Sequence, residues 1–288
     1  MVGFFEQNKH HISFEKFIND ALSEDIGLGD ITSLSTIPVD MQGKMQLLVK
    51  QEGVIAGVEA IQRMLNYIYP EAQLEILIQD GKDIKPKDVV FYISGEVQRL
   101  LSYERLILNI LQRMSGIATK TRYLQSLCIG TKAKVTDTRK TTPLFRFFEK
   151  WAVAIGGGAN HRWGLYDMVL IKDNHIDAAG GIDKAIVKCR EYLKQKQLNL
   201  KIEVETRNLE EVKTALEYQA DRIMLDNFSV DNVHKAVEII NGFAETEASG
   251  GINESNLKAY AQTGVDFISI GSLTHQIQSL DLSLKLLK

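Results

Sequence analysis

The fold is decided by KIEVETRNLEEVKTALEYQADRIMLDN (residues 201–227), in which a short apolar strand, an amphipathic helix and a second strand follow one another. The same alternation runs from residue 133 onward. Its strand segments are AKVTDTRK (133–140), MVLIKDNH (168–175), KIEVET (201–206), DRIMLDN (221–227), AETEASGG (244–251) and DFISIGS (266–272). Strict alternation predicts parallel strands with right-handed crossovers. We therefore expect an α/β protein with a barrel, and an open doubly wound sheet is the alternative.

The part before residue 128 follows a different order. Strand-like and helical segments are mixed there, which predicts an antiparallel sheet with helices on one face. A long helical stretch begins at Leu100 and links this part to the next. We divide the chain into an N-terminal domain (1–127), a barrel domain (128–275) and a C-terminal helix (276–288) that packs on the N-terminal domain.

Composition restricts the class of protein. The chain has 288 residues and a formal net charge of −3, which argues against a general nucleic-acid binder. No basic segment followed by a long apolar run begins the chain, and no stretch has the length of a membrane span. We expect a cytoplasmic protein that binds neither nucleic acid nor membrane. Cys128 and Cys189 lack the spacing of a metal or redox motif, so we expect both to be reduced.

The ends of the predicted strands carry charged residues. Because side chains alternate along a strand, placing Ile202 and Val204 against the helices turns Glu203 and Glu205 inward. The same alternation turns Asp226 inward from DRIMLDN. It also turns Lys172 inward, and Arg139 together with Asp137. In a barrel these residues converge on the carboxyl ends of the strands, where active sites are built.

Such charges have two interpretations. They form a buried ion-pair network without chemistry, or they await ligands, since an unpaired buried charge is costly. The convergence of these charges on one end of the barrel favours ligands. Arginine and lysine suit carboxylates and phosphates, while Glu205 and Asp226 suit a divalent metal ion.

Several motifs together resemble the quinolinate phosphoribosyltransferase family, also called nicotinate-nucleotide pyrophosphorylases (carboxylating). They stand in the family's order over most of the chain: EDIGLGDITS (24–33), GVIAG (53–57), ERLILNILQRMSGIAT (104–119), DTRKTTP (137–143), EKWAV (149–153), GGGANHRWGLYD (156–167), LIKDNH (170–175), IEVET (202–206), IMLDN (223–227), EASGGI (247–252) and SIGSLTH (269–275). The resemblance implies an N-terminal α/β sandwich domain and an incomplete parallel β/α barrel. It also implies a magnesium-dependent pentosyltransferase, a homodimer or larger homo-oligomer, that converts quinolinate and phosphoribosyl pyrophosphate to nicotinate mononucleotide, pyrophosphate and CO2 in NAD biosynthesis.

The resemblance also implies roles for individual residues. The quinolinate carboxylates would be bound by Arg139, His161, Arg162 and Lys172, with Arg105 from the neighbouring subunit. The phosphoribosyl side would be bound by Thr138, Lys140, Glu205 and Asp226, and the 5′-phosphate by Ser249, Gly250, Gly251, Ile270, Gly271 and Ser272. Lys140, Lys172, Glu205 and Asp226 would be catalytic, and Glu205 and Asp226 would hold Mg2+.

Two positions depart from the family pattern. Leu144 replaces a usual glycine, and we expect a different local path there if that glycine had positive φ. Ala154 replaces a usual arginine, which we expect to affect substrate binding more than the reaction. The glycines at 156–158 are interpreted as a structural turn, and His175 is either bonded to the backbone or functional.

Three alternative functions stay open at this stage. A related paralogue of the molybdenum-operon type has similar motifs, but tends to lose the IKDNH segment. A Schiff-base aldolase could use Lys172 at a strand end. A silent anion-binding or regulatory protein would gain nothing from the inward carboxylates of Glu205 and Asp226.

Overall fold

A computed structural model describes residues 3–287. The chain forms two compact units. The first comprises residues 1–122, 141–157 and 273–288, and the second comprises residues 123–140 and 158–272. Among the helices of the described residues, none combines the length and apolarity that a bilayer span requires.

The strands and helices agree with the mixed order predicted before residue 128 and with the alternation after it. The strands are β1 (Gln42–Val49), β2 (Gly53–Val54), β3 (Gln73–Ile76), β4 (Asp83–Ile84), β5 (Val89–Glu96), β6 (Lys134–Thr136), β7 (Val169–Ile171), β8 (Ile202–Thr206), β9 (Arg222–Asp226), β10 (Glu245–Ser249), β11 (Phe267–Ser269) and β12 (Leu282–Leu286). The helices are α1 (Phe4–Asn8), α2 (Phe14–Ile26), α3 (Ile31–Thr36), α4 (Val58–Ile68), α5 (Val97–Ser126), α6 (Arg146–Ile155), α7 (Asp173–Ala179), α8 (Ile182–Gln195), α9 (Leu209–Glu217), α10 (Val230–Ile240), α11 (Leu257–Ala261) and α12 (Ser272–His275), with a 3-10 turn at Lys9–His11.

The first unit contains an antiparallel sheet in the order β12-β1-β5-β3. Its edge strand corrects one prediction, because the end of the chain is a strand and not a helix. Leu282 to Leu286 pair antiparallel with β1. The physical reason is the alternation of the sequence: Leu280, Leu282 and Leu284 are buried, and the residues between them are not, which is the period of a half-buried strand.

The predicted domain boundaries also need correction. The first unit takes in residues 141–157, which the sequence had assigned to the barrel domain. Aromatic packing explains this assignment. Trp151 of α6 stacks on Phe4 with ring centroids 5.7 Å apart, and Phe148 lies 4.8 Å from Phe17. Such pairs stabilise beyond the apolar area that they bury, so α6 belongs to the core of the N-terminal helices.

The second unit contains a six-stranded parallel sheet in the order β6-β11-β10-β9-β8-β7. From β7 to β11 each strand neighbours the next along the chain, and the first strand, β6, lies beside the last. This is the cyclic order of a barrel that is interrupted between β6 and β7. A doubly wound sheet would reverse its direction of growth at a switch point. The prediction of an incomplete β/α barrel is therefore confirmed, and the open-sheet alternative is wrong.

Helix capping fixes where the elements after β8 and β9 begin. Asn208 accepts a hydrogen bond from the amide of Glu211, and Ser229 accepts one from Asn232. Side-chain oxygens at these positions satisfy amides that the helix itself cannot pair. The strand ends are thereby held close to the starts of α9 and α10.

Candidate active site

The predicted site residues of the second unit gather where its strands end. Thr138, Arg139 and Lys140 follow β6, Lys172 follows β7, Glu205 lies on β8, Asp226 ends β9, Ser249, Gly250 and Gly251 lie at the end of β10, and Ile270, Gly271 and Ser272 follow β11. His161 and Arg162 follow Ala159, which bridges to Thr136 of β6. Arg105 is exposed on α5, in the first unit.

The predicted alternation along the strands holds on β8. Ile202 and Val204 are buried on one face, and Glu203 stands opposite Arg222 of β9 in the register of the ladder. Glu205 is two residues further and shares the face of Glu203. Its side chain retains 14% exposure, whereas that of Glu203 has none. The two inward carboxyls therefore lie at different depths.

Glu205 and Asp226 form an acidic pair near the surface. Burial and then the charge of Asp226 raise the pKa of Glu205, while Lys172 lowers it. The Lys172 Nζ lies 3.9 Å from Glu205 Oε2, and the side-chain amide of Asn227 donates to Asp226 Oδ2 at 2.6 Å. Two adjacent carboxylates that repel each other are the hard oxygen donors that Mg2+ prefers. These residues fit a divalent cation.

The segment around Lys172 contains a contact that bears on His175. The His175 Nδ1 accepts a hydrogen bond from the Lys172 amide at 3.0 Å, at the start of α7. This satisfies the interpretation in which His175 is bonded to the backbone. Through that amide the histidine also fixes the backbone from which the Lys172 side chain departs.

Arg139 and Arg162 place two positive charges close together. Burial lowers the pKa of the Arg162 guanidinium, and the charge of Arg139 lowers it further. The NH1 group of Arg162 donates to the carbonyl of Met168 at 3.2 Å, and this fixes its direction. Two arginines that repel each other store electrostatic energy that a bound dianion releases. This pair is suited to a dicarboxylate.

His161 lies directly before Arg162 and is 7% exposed. Its amide donates to Asp137 Oδ1 at 2.9 Å, and the Asn160 side chain donates to Asp137 Oδ2 at 2.6 Å. The ring atom Nδ1 accepts the amide hydrogen of Arg162 at 2.8 Å. The ring atom Nε2 points toward Glu203, 3.0 Å from Oε2. Both ring nitrogens of His161 therefore contact protein groups.

A buried acidic pair lies beneath this ring. Glu203 and Glu247 have no exposed surface, and burial raises the pKa of each to about 7. Arg222 NH1 donates to Glu247 Oε2 at 3.0 Å, while its other nitrogens bind Glu245. Side-chain alternation along β8 predicted that Glu203 faces inward, whereas Glu247 and Arg222 were not predicted. The same alternation, applied to β9 and β10, would have found both.

The two segments expected to bind a phosphate, residues 249–251 and 270–272, differ from each other in their backbone. Gly250 and Gly251 have φ values of 93° and 63°, which favour glycine. A Cβ on Gly250 would lie 2.2 Å from Asn227 Oδ1, so this position also requires the smallest residue. By contrast, the Ile270 amide donates to the Thr136 carbonyl at 3.0 Å. The sheet therefore already uses the amide of Ile270, which was expected to contribute to an anion cradle.

Family models match nearly the whole chain. The C-terminal domain of quinolinate phosphoribosyl transferase matches residues 117–285, and the N-terminal domain matches residues 30–115. The chain belongs to the quinolinate phosphoribosyltransferase family. This confirms the resemblance predicted from the motifs, and it does not favour the molybdenum-operon alternative.

Individual members of the family are similar over most of their length. The chain is 46% identical to a chloroplastic nicotinate-nucleotide pyrophosphorylase (carboxylating) of Arabidopsis thaliana, covering 92% of this chain and 80% of that protein. It is 40% identical to a probable enzyme of the same name from Bacillus subtilis, covering 96% and 94%. The solved structure of the Francisella tularensis nicotinate-nucleotide pyrophosphorylase superposes with a TM-score of 0.89 at 39% identity, covering 95% and 96%.

Leu144, the first departure from the family pattern, lies in an exposed turn. It has a φ of 63° and is 87% exposed, so a leucine occupies the left-handed region at this position. The neighbouring contacts explain this. Thr142 donates to both carboxyl oxygens of buried Glu149, and the Phe145 amide closes a turn onto the Thr142 carbonyl. These bonds hold the turn whatever residue occupies position 144.

Ala154, the second departure from the family pattern, lies in α6, and the glycines at 156–158 directly follow this helix. Ala154 is half-buried in the last turn of α6, in the first unit. A Cβ on Gly156 would lie 2.6 Å from the Ala118 carbonyl of α5. Gly156 therefore permits the close approach of α6 and α5, which agrees with the structural interpretation of the glycine run.

Proposed function

We propose that this chain transfers the phosphoribosyl group of phosphoribosyl pyrophosphate to quinolinate and decarboxylates the product to nicotinate mononucleotide, with release of pyrophosphate and CO2. This is the carboxylating pyrophosphorylase reaction of NAD biosynthesis. Family membership supports it. The observation on the chain itself that carries it is that one site contains two neighbouring cations, Arg139 and Arg162, and two neighbouring carboxylates, Glu205 and Asp226. An aldolase or a silent anion binder does not account for both pairs.

Quinolinate binding is proposed to rest on Arg139, Arg162 and Lys172. Each cation can pair with a carboxylate, and charge-assisted pairs are roughly twice as strong as neutral hydrogen bonds. The family resemblance adds His161 to this group. Two carboxylates held in this way fix the plane of the pyridine ring, so the ring nitrogen can be oriented toward the sugar.

The phosphoribosyl side is proposed to rest on Lys140, Glu205 and Asp226, with Thr138 and the glycine turn after Ser249 near the phosphates. Thr138 Oγ1 accepts the Lys140 amide at 3.0 Å, which orders the turn carrying that lysine. Glu205 and Asp226 would hold Mg2+, which supplies positive charge to the departing pyrophosphate. Glu205 also places negative charge where the sugar becomes cationic as its bond to pyrophosphate breaks.

Decarboxylation is proposed to follow without a separate general base. Once the ring nitrogen carries the sugar, its positive charge accepts the electron pair left when the adjacent carboxylate departs as CO2. The ring carbon then takes up a proton. The chain's task in this step is to keep the ring positioned, so Lys140 and Lys172 act as cations that hold anionic groups.

We further propose a homodimer or larger homo-oligomer in which Arg105 completes the quinolinate site of the neighbouring subunit. Exposed apolar side chains support self-association, since Leu28, Ile31 and Val39 are each more than 70% exposed in one short segment. The cytoplasmic location stays a prediction from the sequence. The Arabidopsis relative is named chloroplastic.

One assay tests the proposal. The protein is incubated with phosphoribosyl pyrophosphate, Mg2+ and either quinolinate or nicotinate, and nicotinate mononucleotide is quantified. We expect metal-dependent formation from quinolinate and poor use of nicotinate, because a site built for two carboxylates leaves its cations unmatched when one is missing. Comparable turnover of nicotinate would refute the quinolinate assignment.

A further inference from the structure

A short loop begins at Arg162 of the candidate active site and ends at Met168, directly before β7. It lies entirely within the second unit. Leu165 and Tyr166 at its tip are 73% and 63% exposed. Because these large side chains bury little of their apolar area, packing of the tip contributes little to holding the loop in one conformation. Polar contacts at the base of the loop supply that order instead.

The carboxylate of Asp167 closes the base of this loop. Its Oδ2 accepts the amide hydrogen of Trp163 at 2.7 Å, and its Oδ1 accepts that of Gly164 at 2.8 Å. Hydrogen bonds to an ionised carboxylate are among the stronger ones in proteins. Each oxygen of Asp167 therefore binds one of the two consecutive amides that follow Arg162 in the chain.

The Arg162 side chain makes the reciprocal contact. Its NH1 group donates to the carbonyl of Met168 at 3.2 Å, and Met168 directly follows Asp167. Asp167 thus binds the residues after Arg162, while Arg162 binds the residue after Asp167. The next amide, that of Val169, donates to the Lys201 carbonyl at 3.0 Å, which joins this end of the loop to the parallel sheet. The guanidinium is therefore directed by a carbonyl that the sheet holds in place.

A role in stability alone is the alternative for such a carboxylate. Asp80 has the same pattern, since its two oxygens accept the amides of Val58 and Glu59 at 2.8 and 3.1 Å. Those amides begin α4, which carries none of the predicted site residues. The amides that Asp167 binds come directly after a predicted substrate-binding arginine. Burial lowers the pKa of Arg162, and the negative charge of Asp167 acts in the opposite direction, so the two groups also interact electrostatically.

We propose that Asp167 is a positioning residue for quinolinate: it fixes the backbone directly after Arg162, so that the guanidinium is presented to a substrate carboxylate in one orientation. This inference rests on the proposed binding of quinolinate by Arg162. The negative charge of Asp167 repels a dicarboxylate, because like charges disfavour association. Its benefit to binding therefore comes from the order of the loop and not from its charge.

The kinetic test compares two substitutions at position 167. Asp167→Ala removes both acceptor oxygens, whereas Asp167→Asn keeps one acceptor oxygen and removes the charge. We expect kcat/KM for quinolinate to fall about tenfold to a hundredfold in Asp167→Ala and by less in Asp167→Asn, with the KM for phosphoribosyl pyrophosphate changed less than about twofold. Unchanged kinetics in Asp167→Ala, or a higher kcat/KM in Asp167→Asn, would overturn the proposal.

Asp80→Asn is the matched control for Asp167→Asn, because each replaces a carboxylate that accepts two consecutive amides. We expect both KM values of Asp80→Asn to stay within about twofold of the wild type, since α4 holds no predicted site residue. Urea unfolding of each variant shows that the compared proteins are folded in the assay. An equal loss of kcat/KM for quinolinate in the two variants would show a general effect of destabilisation and contradict a specific role of Asp167.

A double-mutant cycle tests whether Asp167 acts through Arg162. In a chain that already carries Arg162→Ala, Asp167→Ala should change kcat/KM for quinolinate less than about twofold, because the side chain that it positions is gone. A general loosening of the protein would instead multiply the effects of the two substitutions. If Asp167→Ala does not fold, Asp167→Asn takes its place in the cycle.

The outcomes separate this inference from the reaction on which it rests. If the wild type makes no nucleotide from quinolinate, both fail. If the wild type is active and Arg162→Ala lowers kcat/KM, but the effects of the Arg162 and Asp167 substitutions multiply, the reaction and the role of Arg162 stand and the positioning role of Asp167 is wrong.

Discussion

Replacing Arg162 by alanine tests the assignment of the cation pair most directly. Arg162 is half-buried, it lies beside a second arginine, and its described hydrogen bond is to the Met168 carbonyl. If it pairs with a substrate carboxylate, its removal leaves that carboxylate desolvated and unmatched. Such truncations cost about 2 to 5 kcal/mol, and each ~1.4 kcal/mol is tenfold in rate. We therefore expect kcat/KM for quinolinate to fall about thirty-fold to a few thousand-fold.

Stability should behave differently from activity in this variant. The lost hydrogen bond to Met168 costs about 1 kcal/mol. Against it, the variant removes a buried positive charge and its repulsion with Arg139, the two causes that lower the pKa of Arg162. These effects offset each other, so the free energy of unfolding should change by no more than about 1 kcal/mol.

A second arginine provides the control for this experiment. Arg207 follows β8, but its guanidinium pairs with Glu211 at 2.8 Å and with Asp177 at 3.3 Å and is 46% exposed. Exposed pairs of this kind are screened by solvent and contribute little to stability, so Arg207→Ala should keep activity within twofold. Steady-state kinetics and urea unfolding give both quantities. If Arg162→Ala unfolds like the wild type and keeps its activity within twofold, Arg162 does not bind the substrate.

Three further predictions concern strain, pH and assembly. Leu144→Gly should raise the free energy of unfolding by about 0.5 to 1 kcal/mol in urea titrations, because relief of a left-handed leucine exceeds the added entropy of the unfolded chain; no gain would contradict the strain. Because the folded pKa values of Glu203 and Glu247, about 7, exceed the ordinary glutamate value of 4.5, the native state binds more protons between these values. The contribution of these two carboxyls to the free energy of unfolding should therefore be fully present below about pH 4.5 and fall as pH rises toward 7, by up to about 1.4 kcal/mol per pH unit per proton. Glu247→Gln should flatten this dependence of the free energy of unfolding on pH, and an unchanged slope would refute the prediction. Mixing an Arg105→Ala chain with a Lys140→Ala chain should restore up to about a quarter of wild-type activity, since half of randomly exchanged dimers contain one intact site, and no recovery despite exchange would refute shared sites.

The sequence predicted the elements that have strong local periodicity and missed those set by distant contacts. The six strands after residue 133 were identified because short strand-like segments alternate there with amphipathic helices. The C-terminal strand was missed because its five residues gain stability only by pairing with β1, which lies more than two hundred residues away in the chain. Residues 141–157 were assigned to the wrong unit for the same reason, since α6 packs on aromatic side chains from the start of the chain.

The sequence predicted on which face of a strand each charged side chain lies, but not how deeply that side chain is buried. Alternation correctly placed Glu203 and Glu205 on one face, but it treated them as equivalent members of a single charged cluster. The contacts of each residue decide whether it is paired inside the protein or presented to a ligand. Asp137, for example, accepts from the His161 amide and the Asn160 side chain and has no exposed surface. No periodicity in the sequence indicates which partner such a residue finds.

Depth along the strands reconciles the two interpretations of the inward charges. Residues that share a face two positions apart are separated by about 6.6 Å along a strand. Across that distance on β8, the side chain changes from Glu203, with no exposure, to Glu205, with 14%. The deeper level is an internal network with Arg222 and Glu247. The outer level holds Glu205, which reaches solvent and lies 3.9 Å from the Lys172 Nζ. A buried network and a candidate ligand site therefore coexist on the same strands.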